Sequence, residues 1–249
     1  MNAVEVRNLS FNYKGAFVFD RLNFSIKKGS FITIVGKGGS GKSTLFNIFS
    51  GNLKFKGNLL IFKRSIYYNL EKGYLGLISS SVNFYKSGIV IDVLKNKCSD
   101  FSRIESVFKK IGIIDILNMD FKYLSFKQRI LVMFALQFLL KPKVLVIDNC
   151  FSFLDNEKIV IKRMLKRLCK KCTIINITND VDECLYGEEV LFLSNNLCIK
   201  KIQDLDSDDF ISRDLSVPFI ISLSEKLKFY GLIDKNYFNI ERLIDDLWQ

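Results

Sequence analysis

The residues with the clearest chemical meaning lie between positions 36 and 44. The sequence there is Gly36-Lys-Gly-Gly-Ser-Gly-Lys-Ser-Thr44, and its spacing fits the phosphate-binding pattern GxxxxGK[ST]. Glycines let the backbone approach phosphate oxygens closely, and a helix N-terminus directly after them adds partial positive charge. Lys42 is predicted to reach the β- and γ-phosphates of a nucleotide, and the Ser43 hydroxyl is predicted to bind Mg²⁺. The predicted nucleotide-binding residues of this loop are Gly36, Gly38, Gly39, Ser40, Gly41, Lys42, Ser43 and Thr44.

A carboxylate at the end of a second apolar run completes the pattern. Val144-Leu-Val-Ile-Asp148 has four apolar residues followed by an aspartate, as expected of a buried strand that delivers a Mg²⁺ ligand. An aspartate that merely ends a strand is the alternative, but the loop needs a second metal ligand, and this favours the metal role. Together the two motifs predict a nucleotide site with Mg²⁺. They leave several classes open, including small-molecule kinases and other NTPases.

Both motifs require strands and helices at particular places. The apolar run Phe31–Val35 predicts a buried strand ending at the loop, and Ser43–Phe49 predicts a helix closed by Gly51. Other strands are predicted within residues 4–9, 17–26, 74–78, 144–147, 173–177, 189–193 and 197–199, with a hairpin turn at Asn195-Asn196; other helices are predicted within 89–119, 125–140 and 156–169 and from 207 onwards. Strands that alternate with helices around a glycine-rich turn predict an α/β fold with a largely parallel sheet.

The composition argues against several classes of protein function and several kinds of site. The net charge of +11 comes from scattered lysines and arginines, so a nucleic-acid interface is not expected. The sequence has no histidine, which removes imidazole general-base chemistry, and Cys169-Lys-Lys-Cys172 has no second pair with which to bind zinc. The six cysteines are expected to be reduced thiols. No apolar run approaches the ~20 residues that cross a bilayer, and the N-terminus lacks a signal-peptide pattern, so a cytoplasmic chain is expected.

Further motifs distinguish among the classes of nucleotide-binding protein left open above. Leu124-Ser125-Phe126-Lys127-Gln128 stands where the ABC transporter ATPases carry their LSGGQ signature, and the chain then runs without a gap to the second apolar strand. Ser152-Phe-Leu-Asp155 resembles the D-loop of that family, SxLD. Tyr13 lies where the family stacks an aromatic ring on adenine, and Thr178-Asn179-Asp180 lies at the place of its switch histidine. These ordered landmarks resemble an ABC ATPase, and they disfavour a kinase.

The resemblance implies a fold and a mechanism. The fold is a P-loop NTPase core of the ABC ATPase type, with an N-terminal antiparallel β part and a helical signature subdomain at about residues 80–140. The ATP-binding domain is expected over residues 1–205 and a short helical C-terminal extension over residues 206–249. Two subunits are expected to bind head to tail with ATP and Mg²⁺ between them, so that the signature and Asp155 of one face the nucleotide held by the other. Closing this pair would drive a transmembrane partner.

The C-terminal region resembles one branch of the family. Val217-Pro218, Gly231 and the helical run Phe238–Leu247 are similar to the corresponding region of energy-coupling-factor ATPases. Those are the paired ATP-binding subunits of bacterial uptake transporters for vitamins and metal ions. An ordinary helical appendage is the alternative interpretation of this segment.

Several positions depart from the family pattern. The catalytic glutamate position is Asn149, and an amide cannot act as a base, although it can orient a water. The switch-histidine position is Asn179, and the Q-loop glutamine position falls near Ser80 within a run of serines. The two signature glycines are replaced by Phe126 and Lys127, which should crowd the helix N-terminus unless Lys127 supplies a replacement charge. The sequence therefore predicts a site that binds ATP and turns it over slowly.

Three hypotheses follow from these departures. The first is a pseudo-catalytic subunit of an energy-coupling-factor importer, peripheral on the inner face of the cell membrane and paired with a competent second ATPase. A heterodimer is favoured, since a homodimer would lack the catalytic glutamate at both sites. The alternatives are a scaffold in which ATP holds an assembly closed without hydrolysis, and a regulatory ABC protein without a transport role.

Overall fold

The structure is a computed structural model that describes residues 1–81, 87–194 and 197–248. Its strands are β1 (Asn2–Tyr13), β2 (Ala16–Lys27), β3 (Phe31–Val35), β4 (Lys56–Ile61), β5 (Arg64–Ser65), β6 (Leu75–Ser79), β7 (Val144–Asp148), β8 (Thr173–Ile177), β9 (Glu189–Phe192) and β10 (Cys198–Lys201). Its α-helices are α1 (Lys42–Phe49), α2 (Ile66–Glu71), α3 (Val90–Lys95), α4 (Phe101–Ile111), α5 (Phe126–Leu140), α6 (Glu157–Cys169), α7 (Ser207–Ile211), α8 (Phe219–Phe229) and α9 (Ile240–Leu247). Short 3₁₀ turns join several of them.

Two structural units share the chain. The first contains residues 1–30 and 43–176, and the second contains residues 31–42 and the chain from residue 177 onwards. The phosphate-binding loop therefore belongs to the second unit, whereas the helix after Lys42, the second apolar strand and the signature belong to the first. The predicted domain boundary at 205/206 lies within the second unit in sequence and stays a prediction.

The first unit begins with the predicted antiparallel sheet, whose strand order is β2-β1-β4-β5. β1 and β2 pair as a long hairpin in which Tyr13 lies opposite Ala16. Lys14 and Gly15 both have positive φ, at 45° and 95°, and this conformation suits the tight type I′ turn that follows the right-handed twist of the strands. β4, β5 and α2 were not predicted from the sequence.

The first unit continues with the parallel neighbours β6 and β7, beside β8, and with the helices that follow them. α5 is buried on all sides from Ile130 to Leu139, as expected of a helix whose sequence is apolar around its whole circumference. It begins at the predicted N-cap, Ser125, and ends at Lys141, whose φ of 51° breaks the helix before Pro142.

The second unit contains β3, β9 and β10. β3 pairs with β9 in parallel, and β9 pairs with β10 antiparallel, as the predicted hairpin requires; its turn at Asn195-Asn196 lies outside the described residues. One apolar cluster joins this sheet to α7, α8 and α9, and its buried members are Val35, Val181, Cys184, Val190, Phe192, Leu205, Phe210, Ile220, Ile221, Ile233, Tyr237 and Leu243. The helical C-terminal segment therefore shares an apolar cluster with the strand that leads into the phosphate-binding loop, and Phe210 of α7 meets Phe192 of β9 edge-on.

Two general properties concern membranes and thiols. Across the described ranges, no helix has the length and apolar content needed to span a bilayer. All six cysteines are free thiols, and Cys150, Cys169, Cys172 and Cys184 are buried.

Candidate nucleotide site

The phosphate-binding loop connects the end of β3 to the start of α1, as predicted. Gly39 and Gly41 have φ values of +79° and +95°, a backbone conformation that side chains disfavour. A Cβ at Gly36 would lie 2.5 Å from both the Leu193 carbonyl oxygen and the Ser40 Oγ, so packing requires glycine there. By contrast, a Cβ at Gly38 or Gly39 would meet nothing within 4 Å. The loop is therefore packed at its start and open over its middle, the side on which a phosphate cradle needs space.

Lys42 lies in the concavity of this loop. Its Nζ donates to the carbonyl oxygens of Gly36 at 2.5 Å and Lys37 at 3.0 Å, and to the Ser40 Oγ at 3.3 Å. The residue is only 7% exposed, and an ammonium group has three donors and no acceptor, so these oxygens hold the charge inside the loop. The Lys42 ammonium thus lies inside the loop, and its role toward phosphates stays a prediction.

The residues after Lys42 differ in exposure. Ser43 is exposed at the start of α1, which leaves its hydroxyl accessible, whereas Thr44 is 7% exposed. Their predicted roles toward Mg²⁺ and nucleotide stay predictions.

Asp148 ends β7 as predicted, and its side chain is tied to the neighbouring strand. Asp148 lies opposite Ser79 in the parallel β6–β7 ladder, and the Ser79 Oγ donates to Asp148 Oδ2 at 3.1 Å. The Ser81 Oγ lies 2.8 Å from the Ser79 Oγ, and the Ser81 N–H donates to the same oxygen at 3.1 Å. A hydroxyl has one donor, so Ser79 directs its proton to the carboxylate while accepting from Ser81. This chain of hydrogen bonds orients the candidate metal ligand.

Two neighbouring serines contact Asp148 in different ways. The backbone N–H of Ser80, the predicted Q-loop glutamine position, donates to the Asp148 carbonyl oxygen at 3.2 Å, and the Q-loop role of Ser80 stays a prediction. Ser79, which the sequence analysis does not name as a site residue, contacts the Asp148 carboxylate. The only sequence signal for Ser79 is its place directly after the strand predicted within residues 74–78.

Asn149 follows Asp148 with a left-handed backbone, at φ 50°. Asparagine adopts this conformation more readily than glutamate, because its short side chain makes local hydrogen bonds that offset the steric cost. The structure thus gives a backbone reason for asparagine at residue 149, the predicted position of the catalytic glutamate.

Asn179 lies exposed after β8 in the second unit. The preceding Thr178 donates its N–H to the Ile34 carbonyl oxygen at 3.1 Å, and its Oγ1 accepts from the Asp180 N–H at 3.0 Å. Since Ile34 belongs to the strand that leads into the phosphate-binding loop, these bonds fix the backbone of Asn179 near that strand's end.

Tyr13 occupies the tip of the β1–β2 hairpin in the first unit. Its ring is 49% exposed and meets Phe11 edge-on, with ring centroids 4.8 Å apart. An exposed ring supported from one side is suited to stacking on a base, and its adenine role stays a prediction.

The two polar residues kept in the signature form a helix cap. The Ser125 Oγ accepts from the Gln128 N–H at 3.2 Å, and the Gln128 Oε1 accepts from the Ser125 N–H at 2.8 Å. This is a capping box, which satisfies N–H groups at the start of a helix. Leu124, directly before it, is buried. The retained signature residues therefore have a structural role in beginning α5.

The two replaced signature positions contact the D-loop of the same chain. Lys127 Nζ lies 2.8 Å from Asp155 Oδ2 and 2.9 Å from Glu157 Oε1. Phe126 meets Phe153 edge-on, with ring centroids 4.8 Å apart. We call these five residues the signature clasp. The Lys127 ammonium, a candidate replacement charge for a partner's nucleotide, thus forms ion pairs with carboxylates of its own chain.

The clasp changes the ionisation of its members. The hydrogen bond from Lys127 lowers the pKa of Asp155, and the hydrogen bonds to Asp155 and Glu157 raise the pKa of Lys127. Burial opposes ionisation of Glu157, but its hydrogen bond with Lys127 still leaves the pKa of that carboxyl below its usual range. All three groups are therefore held in their charged forms.

Comparison with known proteins identifies the family. Residues 19–152 match the ABC transporter family. The chain is 30% identical to the energy-coupling factor transporter ATP-binding protein EcfA1 of Mycoplasma capricolum, over 98% of this chain and 65% of that protein, so it spans about two thirds of that relative's length. It is 28% identical to the EcfA1 of Oenococcus oeni, over 100% of this chain and 98% of the relative.

Solved structures agree on the fold. An ATP-binding subunit of an ABC transporter superposes with a TM-score of 0.74 at 20% identity, covering 86% of this chain and 95% of the other. CbiO1 from Clostridium perfringens superposes with a TM-score of 0.67 at 22% identity, covering 92% of this chain and 95% of the other. With the predicted motifs in their predicted elements and the family match over more than half of its length, the chain belongs to the ABC transporter family.

Proposed function

We propose that this chain is an ATP-binding subunit of an energy-coupling-factor importer, and that it binds ATP firmly but hydrolyses it slowly. The single observation that carries the proposal is the contrast within its own motifs. The phosphate-binding loop keeps an open glycine arch with Lys42 held inside it, whereas the position of the catalytic base is Asn149 with a left-handed backbone. The relatives named as energy-coupling factor ATP-binding proteins support the transporter type.

The residues present fit ATP with Mg²⁺. The Ser43 hydroxyl and the Asp148 carboxylate are hard oxygen donors, the class that Mg²⁺ prefers, and Ser79 already orients the carboxylate. When bound, the ion would neutralise part of the negative charge of the phosphates. The chain itself contributes backbone N–H groups and the Lys42 ammonium to phosphates, and the exposed ring of Tyr13 to the base.

Slow turnover follows from the side chains that replace the water-activating groups. The amide of Asn149 can accept a hydrogen bond from a water but cannot take its proton, and Asn179 carries no ionisable proton either. Losing one well-placed catalytic group typically lowers a rate ~10²- to 10⁴-fold. A second ATPase subunit with an intact glutamate would supply the hydrolysis that transport requires, which favours a heterodimer beside a transmembrane subunit.

A scaffold that binds ATP without hydrolysis is the second candidate, and the signature clasp favours it. Lys127 and Phe126 contact the D-loop of their own chain, so the signature that would face a partner's nucleotide also lacks its usual glycine surface. Turnover measured in the assembled complex separates the two candidates, since net hydrolysis is expected only in the importer.

The first test measures ATP binding and steady-state hydrolysis by the purified chain. Binding that Lys42→Ala abolishes, with near-zero turnover by the chain alone, is the expected result. Lys54→Ala is the matched control, because it removes one exposed lysine outside the loop and changes net charge equally. Brisk turnover by the wild-type chain alone would overturn the slow-hydrolysis proposal, and equal loss of binding in both variants would show that only net charge matters.

A further inference from the structure

The phosphate-binding loop carries a second lysine, and its partner is a carboxylate of the C-terminal segment. Lys37 Nζ lies 3.0 Å from Asp214 Oδ2, in the short connection between α7 and α8. The two side chains are 65% and 76% exposed, and ion pairs of such exposure contribute little to folding stability. The fold therefore does not depend on this pair, and its position beside a phosphate site suggests another role.

The backbone of Lys37 forms part of the cradle. Its carbonyl oxygen accepts from Lys42 Nζ at 3.0 Å and from the Ser40 N–H at 3.0 Å, so the residue is fixed to the loop. The flexible four-carbon stem of a lysine nevertheless lets its ammonium move to a different anion without any change in that backbone. Next to it, the loop is open at Gly38 and Gly39.

Asp214 is fixed on the opposite side of the pair. The preceding Arg213 places its guanidinium 4.6 Å from the centre of the Phe192 ring and donates to the Asp209 carbonyl oxygen at 2.7 Å. Phe192 lies opposite Val35 in the β3–β9 ladder, at the very end of the strand before the loop. Asp214 itself has φ 54°, a left-handed conformation. The contacts of Arg213 place the neighbouring Asp214 close to the end of β9, and Lys37 is the partner of its exposed carboxylate.

A bound nucleoside triphosphate would weaken the ion pair between Lys37 and Asp214. The terminal phosphate of ATP competes with the Asp214 carboxylate for the same ammonium and repels that carboxylate, whereas ADP brings one phosphate fewer. Asn179, at the predicted switch-histidine position, supplies no positive charge to the γ-phosphate. The Lys37 ammonium could supply that charge instead.

We propose that Lys37 is an ATP-selective phosphate ligand, and that Asp214 is the partner it leaves when the γ-phosphate binds. ATP binding then releases the Asp214 side chain from the loop, which links the nucleotide state to the C-terminal segment. The proposal rests on the nucleotide binding proposed above and names a specificity residue and an exchange of partners within that site.

The test compares ATP and ADP affinities of the full chain in four forms: wild type, Lys37→Ala, Asp214→Asn and the double variant. Lys37→Ala should weaken ATP binding about tenfold, the value of one charge-assisted hydrogen bond, and leave ADP binding nearly unchanged. Asp214→Asn should strengthen ATP binding in the wild-type background but not in Lys37→Ala. Lys54→Ala is the charge-matched control, and melting temperatures confirm that each variant folds.

The outcomes are distinguishable. If Lys37→Ala weakens ATP and ADP binding equally, or if Asp214→Asn acts alike with and without Lys37, the exchange is refuted. If the wild-type chain binds neither nucleotide, the proposed function fails instead. Wild-type binding that Lys42→Ala abolishes and Lys37→Ala leaves intact would refute only the present inference.

Discussion

Asn149→Glu tests whether the missing carboxylate is what keeps this site slow. The substitution places a general base where the family carries one, and such a base typically contributes ~10²- to 10⁴-fold in rate. The backbone opposes it, because φ at this position is 50° and glutamate lacks the local hydrogen bonding that lets asparagine occupy the left-handed region. Enforcing that conformation costs about 1 kcal/mol, which lowers the melting temperature of a chain of this size by about 2–4 °C.

The expected result is therefore two opposite changes in one variant. ATP turnover should rise at least ~10²-fold, the lower end of the range for a general base, since strain works against ideal placement of the carboxylate. The melting temperature should fall by a few degrees. Turnover is measured by phosphate release from the purified chain and from its assembled complex, and stability by thermal unfolding without nucleotide.

Two matched variants isolate the causes. Asn149→Gln has the length of glutamate and the same backbone cost but no carboxylate, so it should melt like Asn149→Glu while turning over like wild type. Asn149→Asp keeps the left-handed preference and gains a shorter carboxylate, so it should melt like wild type. Equal turnover by the glutamate and glutamine variants would refute the reasoning, since the missing base would then not be the limiting group.

Three further outcomes are expected. Lys127→Ala should make the fall in melting temperature between about pH 5 and about pH 3 shallower. Lys127 lowers the pKa of Asp155 below 3.8, so the stability that this ion pair contributes is present above that value and is lost as pH falls through the folded-state pKa. An unchanged slope in thermal unfolding would contradict this expectation. Ser79→Ala should lower the free energy of unfolding by about 1.5–3 kcal/mol in urea titrations, because it removes a donor from the buried Asp148 carboxylate, whereas Ser79→Thr, which keeps the hydroxyl, should lose less. Burial raises the pKa of the Cys172 thiol to about 12, so mass spectrometry after thiol alkylation near neutral pH should find it unmodified in the native protein and modified in urea; equal rates in both would show that the site opens freely.

Local patterns were sufficient to predict most of the elements near the site. The apolar run before Gly36 predicted β3, and the serine before an apolar stretch predicted the start of α5, because both signals act within a few residues. β4 was missed because its sequence, Lys-Gly-Asn-Leu-Leu-Ile, lacks alternation and is stabilised by pairing with β1, some fifty residues earlier.

The long-range contacts of the site were beyond the reach of sequence patterns. Lys127 and Asp155 are separated by 28 positions, and nothing in either segment predicts that the first turn of α5 lies beside the D-loop. The pairing of Lys37 with Asp214 spans 177 positions and depends on the packing of the C-terminal helices. Asparagine favours the left-handed backbone found at Asn149, but a lone asparagine does not predict that conformation, because most asparagines have negative φ.

The capping box at the start of α5 has a consequence for how the signature motif is interpreted. The side chains of Ser125 and Gln128 accept hydrogen bonds from each other's backbone N–H groups, so both residues stabilise the first turn of the helix. Phe126 and Lys127, on the same turn, take no part in the cap and contact Phe153, Asp155 and Glu157 instead. The serine and the glutamine are therefore needed to begin α5 whether or not ATP is hydrolysed, and their presence in a sequence is not by itself a sign of hydrolysis.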